Sequence, residues 1–486
     1  MRPLKELLHA IPVTDYHGDL DAVVLSLCFD SREVEPGSAF VAVRGYQTDG
    51  HRFIHQAVKQ GARAIIVEEF PDDLSAEVTY IRVADTAYVL GVMASNYYGN
   101  PSQKLKLVGV TGTNGKTTVV TLLFNLFQKM GHRVGLLSTV RNQIDTKEVE
   151  ATHTTPDPIS LNALLKEMVE AGCGFCFMEV SSHAVAQQRI AGLHFAGGVF
   201  TNITQDHLDY HGSFPAYIKA KKKFFDNLDR AAFALTNVDD KNGQVMLQNS
   251  FAHRKTYGLH QMADFRAKIL ESHFDGMLLS IDAQEVWVKL VGNFNAYNLL
   301  AVFGTAILLE QETMRILTAL SEVSGASGRF ETLKSPNGVV VIVDYAHTPD
   351  AVANVLKTVG SLRKNQQQVL TVLGCGGDRD KGKRPEMAAV ASELSDKLVL
   401  TSDNPRSEDP GQIIKDMEAG ISEDRKKNMF SITDRREAIR AAMHLAQPGD
   451  IVLVAGKGHE TYQEIKGVRH HFDDKEEVIK IFNEQN

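Results

Sequence analysis

Leu105-Lys106-Leu107-Val108-Gly109-Val110 runs directly into Thr111-Gly112-Thr113-Asn114-Gly115-Lys116-Thr117-Thr118, and residues 119–130 follow as a largely apolar stretch. An apolar run of strand length, a glycine turn and a run of helix length form a unit that aims backbone N–H groups and the positive end of a helix at a phosphate. Within it Lys116 is placed to neutralise β- and γ-phosphate charge, and Thr117 to offer its hydroxyl to Mg2+. Gly112, Thr113, Asn114, Gly115 and Thr118 complete the cradle. Glycine is usual where this chain has Val110, so the loop is a variant form, unlike that of a generic GTPase or motor.

Working outward, strand-like and helix-like runs alternate, the pattern of α/β domains with largely parallel sheets. Residues 38–43 and 64–67 read as buried strands separated by an amphipathic stretch over 51–61, and the turn Gly99-Asn100-Pro101-Ser102 ends this segment. Beyond Gly325-Ala326-Ser327-Gly328, strand candidates recur at 339–343, 369–373, 398–401 and 451–454. A chain of 486 residues exceeds one hydrophobic core. The expected architecture is α/β in three parts: a small N-terminal α/β domain (1–98), a central P-loop ATPase-type parallel-sheet domain (99–328) and a C-terminal Rossmann-like domain (329–486).

Hydrophobic residues at 43% and charged residues at 23% predict ordinary globular domains. A net charge of -8 disfavours nucleic acid, whose binders carry surplus Lys and Arg. Charges interrupt the only apolar stretch of Met1-Arg2-Pro3-Leu4-Lys5-Glu6-Leu7-Leu8, so neither a secretory leader nor a membrane span is expected, and the expected location is the cytoplasm. Cys173 and Cys176 have CxxC spacing, but with only Cys28 and Cys375 besides, no zinc site is completed.

Phe175-Cys176-Phe177-Met178-Glu179 reads as a buried strand ending in a carboxylate. At the carboxyl end of a parallel sheet such a group faces the ligand crevice, which makes Glu179 a candidate Mg2+ ligand. Residues 198–203 read as the next strand, leading into Asp206-His207-Leu208-Asp209-Tyr210-His211-Gly212. On the helix after it, Tyr217, Ala220, Phe224 and Phe225 share a face, with Lys219, Lys222 and Lys223 opposite. Lys221 falls among the apolar residues, where an unmodified, unpaired ammonium is costly. Two loops after strand candidates, Gly374 to Pro385 and Ser402-Asp403-Asn404-Pro405-Arg406, bring Arg379 and Arg406 toward one crevice, with the guanidinium chemistry that grips a carboxylate. The loop Gly456-Lys457-Gly458-His459-Glu460 adds an acid able to pair with an ammonium.

Gly112 to Thr118 resembles the ATP loop of the Mur ligases and folylpolyglutamate synthases, which couple ATP cleavage to amide-bond formation. Gly292-Asn293-Phe294-Asn295-Ala296-Tyr297-Asn298, Gly328-Arg329-Phe330-Glu331 and Asp344-Tyr345-Ala346-His347 resemble the remaining nucleotide motifs of the Mur ligases. The resemblance implies ATP and Mg2+, with Asn295 and Asn298 near the base and Arg329 and Asp344 near phosphate or ribose. Read without it, Asp344 could be a helix cap. The resemblance further implies a carbamate on Lys221, second-metal ligation by His207, and catalytic roles for Lys116, Glu179, His207 and Lys221.

Asp403-Asn404-Pro405-Arg406 resembles the recognition tetrapeptide of the diaminopimelate-adding members, implying Arg379, Asp403, Asn404, Pro405, Arg406, Gly456 and Glu460 as contacts to meso-diaminopimelate. Asp30-Ser31-Arg32, Gly45 to Gly50, Thr154-Thr155-Pro156 and the stretch from Ser181 resemble segments that hold UDP-MurNAc-L-Ala-D-Glu. Ser31, Tyr46, Gln47, Thr48, Thr154, Thr155, Ser181, Gln187 and Arg189 are the contacts so implied; His153 stands where some relatives have asparagine. The expectation is a monomeric ATP-dependent ligase of peptidoglycan precursor synthesis acting on three small molecules, with no nucleic-acid or membrane partner. A lysine-adding relative or a folylpolyglutamate synthase would share the ATP loop, but neither accounts for Arg406 together with Asp30-Ser31-Arg32; a nucleotide switch would instead show ATPase activity independent of any amine.

Overall fold

The computed structural model describes residues 1–45, 48–150, 154–364 and 366–484. Tyr46, Gln47 and His153, expected near the sugar-peptide substrate, lie outside the described residues.

Near the N-terminus, Ser26–Cys28, Ser38–Val41, Ala64–Val67 and Thr79–Arg82 pair in parallel, and Asp15–His17 adds an antiparallel edge. The strand expected over 38–43 stops at Val41. Ala64–Val67 is buried at every position, as a strand covered on both faces must be.

The central sheet contains, in spatial order, Val134–Leu137, Phe175–Glu179, Lys106–Thr111, Gly197–Phe200, Phe233–Asn237 and His253–Gly258, all parallel. Phe265–His273 extends it in parallel on one side, followed by the antiparallel strands Gly276–Ile281 and Gln284–Val288, and antiparallel strands flank the other side. Successive residues alternate between two cores. Val108, Val110, Phe177 and Val199 pack with the helices Lys116–Lys129 and Asn293–Leu308. Leu107, Cys176, Met178 and Phe200 pack on the other face with Pro158–Glu170 and Phe214–Asp226. The loop helix begins at Lys116, so Lys116, Thr117 and Thr118 form its first turn, earlier than the apolar run over 119–130 suggests.

In the third sheet Val340–Asp344, Ile451–Ala455, Val369–Cys375, Lys397–Ser402 and Met429–Ser431 run parallel, with Glu331–Lys334 antiparallel at the edge. In both larger sheets the loops at the carboxyl ends of the strands contain the motif residues, which is where an open α/β sheet receives its ligands. Among the described residues no helix is long and apolar enough to cross a membrane.

Candidate active site

The glycine loop is braced from the neighbouring strand end. Thr113 N donates to Asn202 O at 2.8 Å, Asn114 N donates to Asn202 Oδ1 at 3.0 Å, and Thr201 Oγ1 donates to Asn114 O at 2.6 Å. Any side chain at Gly112 would fail here, because a Cβ would lie 1.9 Å from Thr201 Oγ1. Thr201 and Asn202 were legible only as part of a strand, which in fact ends at Phe200.

Two lysines meet at this loop. Lys116 Nζ donates to Gly112 O and Thr113 O at 2.9 and 2.8 Å, and Lys221 Nζ donates to the same Gly112 O at 2.8 Å. Lys221 is buried, with 1% of its surface exposed, on the apolar face of its helix. Its ammonium lies 4.7 Å from the Tyr217 ring centroid and, among the described residues, forms no ion pair. Burial, and then the charge of Lys116, pull its pKa well below the ordinary lysine range. Lys219 and Lys223 are exposed as expected, whereas Lys222 is half-buried and pairs with Asp226.

Glu179 is buried at its strand end; Oε1 accepts from Thr139 N at 2.8 Å, and among the described residues Oε2 has no hydrogen-bond partner. A buried carboxylate oxygen without a partner is costly unless something satisfies it, and a hard divalent cation does so. Glu179 therefore offers a hard oxygen that fits Mg2+, while the Thr117 hydroxyl lies in the first turn of the loop helix. However, among the described residues no three His, Cys, Asp or Glu side chains come together as a metal cluster. His207 lies instead beside Asp206, Nε2 to Oδ2 at 3.5 Å, and edge-on to His183 with centroids 4.8 Å apart. Burial lowers its pKa, leaving a neutral imidazole suited to ligation.

Asn295 and Asn298 bond to one another at 3.1 Å, and Asn298 packs against Gly115. Asn295 and Arg329 line a cavity of about 810 Å³ that also has Lys289, Ser327 and Glu331 in its wall. The Arg329 guanidinium donates to Thr117 Oγ1 at 3.3 Å and sits 4.5 Å from the Tyr345 ring centroid. Asp344 is not a helix cap: its carboxylate accepts from Phe330 N and Ala346 N at 2.6 and 2.7 Å, and Thr348 caps the next helix. A second tie across the sheets joins Asn114 Nδ2 to Asp350 Oδ2 at 3.3 Å.

Thr155, Ser181, Gln187 and Arg189 form one group. Thr155 Oγ1 donates to Glu179 O at 2.8 Å. Arg189 donates to Thr155 O at 2.8 Å and to Gln187 Oε1 at 2.9 and 2.7 Å. Thr154 accepts from Thr139, so this group adjoins the Glu179 carboxylate. Ser31 is in the first sheet region, bonded to Gln56, and Thr48 is exposed.

In the third sheet the loops after Val369–Cys375 and Lys397–Ser402 are zipped together. Gly377 N donates to Asn404 O at 2.8 Å, and Arg406 Nη1 donates to Gly377 O at 2.7 Å. A Cβ on Gly377 would lie 1.9 Å from Pro405 O, so only glycine permits the approach. Arg406 is left-handed, φ 50°, a conformation that costs a non-glycine residue of order 1–3 kcal/mol and persists where surroundings over-determine it. Among the described residues it forms no ion pair. Arg379 is exposed nearby. Asp403, Asn404 and Glu460 converge: Asn404 Nδ2 donates to Glu460 Oε2 at 2.7 Å, and Gly456 N donates to Asp344 O at 3.1 Å. Sequence reasoning gave no role to Arg384, fully buried and bonded to Glu408 at 2.8 Å and Asp416 at 2.8 Å, which anchors both loops.

Family models match three stretches: Mur ligase family, catalytic domain (24–98), Mur ligase middle domain (110–306), and Mur ligase, glutamate ligase domain (328–458). A UDP-N-acetylmuramoyl-L-alanyl-D-glutamate–2,6-diaminopimelate ligase of Cytophaga hutchinsonii is 56% identical over 473 residues, covering 97% of each chain. One from Phocaeicola vulgatus is 55% identical over 479 residues, covering 99% of each. A solved structure of a ligase with the same name superposes with a TM-score of 0.71 at 34% identity, covering 99% of each chain. With three models matched in order and this identity over nearly the whole length, the chain belongs to the Mur ligase family.

Proposed function

We propose that this enzyme joins meso-diaminopimelate to UDP-N-acetylmuramoyl-L-alanyl-D-glutamate with cleavage of ATP to ADP and phosphate. The observation that carries the choice of amino acid is Arg406, a guanidinium that forms no ion pair among the described residues, held in a strained conformation on the loop of the Asp403, Asn404 and Glu460 cluster. A distal carboxylate and ammonium, which meso-diaminopimelate has and lysine lacks in part, match that pair of charges.

The three domains are assigned to 1–98, 99–328 and 329–486. The first, with Ser31, Tyr46, Gln47 and Thr48, takes the UDP-sugar end. Thr154, Thr155, Ser181, Gln187 and Arg189 guide the peptide end toward Glu179. The terminal glutamyl carboxylate of the dipeptide attacks the γ-phosphorus of ATP, the bond to ADP breaks, and an acyl phosphate forms. Lys116 turns from its loop carbonyls to the phosphate, while the backbone N–H groups of Gly112 to Thr118 hold the rest of the triphosphate. Asn295 and Asn298 border the base, and Arg329 and Asp344 the ribose or phosphate. The amine of diaminopimelate, oriented by Arg379, Asp403 to Arg406, Gly456 and Glu460, then attacks the carbonyl; phosphate leaves and a proton is released. Mg2+, when bound, supplies charge neutralisation at the transferring phosphoryl group. Thr117, Glu179, His207 and a carbamate on Lys221 would hold it, the carbamate adding the anion that an amine cannot. The proposed enzyme works as a monomer in the cytoplasm.

Phosphate release tests this reading against a free-running nucleotide switch. Release is expected only when dipeptide, diaminopimelate and ATP are all present; steady ATP hydrolysis without the amine would contradict it.

A further inference from the structure

Lys457 has no assigned part in the account above. Its side chain is fully buried, and Nζ reaches Glu460 Oε2 at 3.2 Å, Asp403 Oδ1 at 3.4 Å, Asn404 Oδ1 at 3.4 Å and the Tyr462 carbonyl. Burying an ammonium costs several kcal/mol unless it is paired and hydrogen-bonded, so this one is retained by its neighbours. Two carboxylates share it. The same contacts settle the Asn404 amide: with Oδ1 facing Lys457 and Glu464 N, Nδ2 must face Glu460.

We propose that Lys457 is a positioning residue of the amino-acid site, its ammonium holding the Asp403 and Glu460 carboxylates as one charged pair that receives the substrate's ammonium. This rests on the assignment of that site to diaminopimelate. The charge count supports it, since two carboxylates and one lysine leave one negative charge for one incoming ammonium. The groups facing the pair are Tyr345, Tyr462, Cys375 and the buried Arg435, with Arg406 and Arg379 further out. Burial and then Asp403 raise the Glu460 pKa, and Lys457 is the cation that opposes them. Without Lys457 the cation that opposes this rise is gone, so the Glu460 carboxyl group would hold a proton more tightly, blocking an acceptor oxygen until rising pH removes it.

The test is the KM for diaminopimelate of Lys457→Met against the native enzyme from pH 7 to pH 9. At pH 7 it is expected to be raised about tenfold, the ratio falling toward one as pH rises, with KM for ATP unchanged. A ratio that does not change with pH, or an equal rise in both KM values, overturns the proposal. Lys457→Gln keeps a donor for the Tyr462 carbonyl without the charge and carries the same test if the methionine variant does not fold; failure of both to fold assigns Lys457 to stability alone and also overturns it. If Arg406→Ala raises the KM for diaminopimelate and the Lys457 variants do not, only this inference fails. If neither does, the site assignment fails.

Discussion

Replacing Arg406 with alanine is expected to raise KM for meso-diaminopimelate about a hundredfold, as truncating one partner of a desolvated charge pair costs roughly 3 kcal/mol. Its KM for ATP should stay within about twofold, because distant sites without shared partners behave independently. The selectivity follows from the geometry. Arg406 bonds to Gly377 O and to the backbone of the Tyr462–Ile465 strand, whereas the nucleotide loop is braced by Thr201 and Asn202 in the central sheet. Arg406→Lys should recover only part of the loss, since a point charge cannot grip a carboxylate bidentately. Steady-state kinetics with each substrate varied would check both; equal loss toward ATP and diaminopimelate would remove Arg406 from the amino-acid site.

Lys221→Ala should lower kcat about 10³-fold, the scale of losing a preorganised charge at a phosphoryl-transfer site. Lys221 donates to Gly112 O, forms no ion pair among the described residues, and has Lys116 on the same carbonyl. As a cation it would repel Lys116 across the glycine loop; a carbamate, as proposed, would replace that charge with an anion. A small carboxylic acid supplied to Lys221→Ala should restore a measurable part of the rate, and peptide mass spectrometry of the native enzyme under carbon dioxide should find one added carboxyl group on Lys221. Full activity of Lys221→Ala without additive would eliminate the carbamate.

Much of this was legible in the residues. The glycine loop between an apolar strand and an apolar helix identified the central sheet, because that sequence of elements has few other uses. Lys221 stood out because helical periodicity placed a lysine on an apolar face, and the structure buries it there. The braces were not legible. Thr201 and Asn202 hold Asn114 through contacts spanning 87 and 88 residues of sequence, and no local pattern announces such a pairing. Asp344 looked like a cap because a carboxylate after a strand often is one; the tertiary fold instead turns it back onto Phe330 N, while Thr348 caps the helix. Lys457 and Arg384 were hidden for a related reason. Lysine and arginine usually face solvent, and only the convergence of separate loops shows that these two are enclosed by carboxylates.

The central claim is that an ATP-activated glutamyl carboxylate meets an amine selected by its distal carboxylate. It is tested most directly by supplying purified enzyme, ATP and UDP-N-acetylmuramoyl-L-alanyl-D-glutamate with a panel of amino acids and identifying the products by mass. The account predicts efficient formation of the meso-diaminopimelate tripeptide and little product with lysine. Preferential joining of lysine, or no amide product with any amino acid, would contradict it.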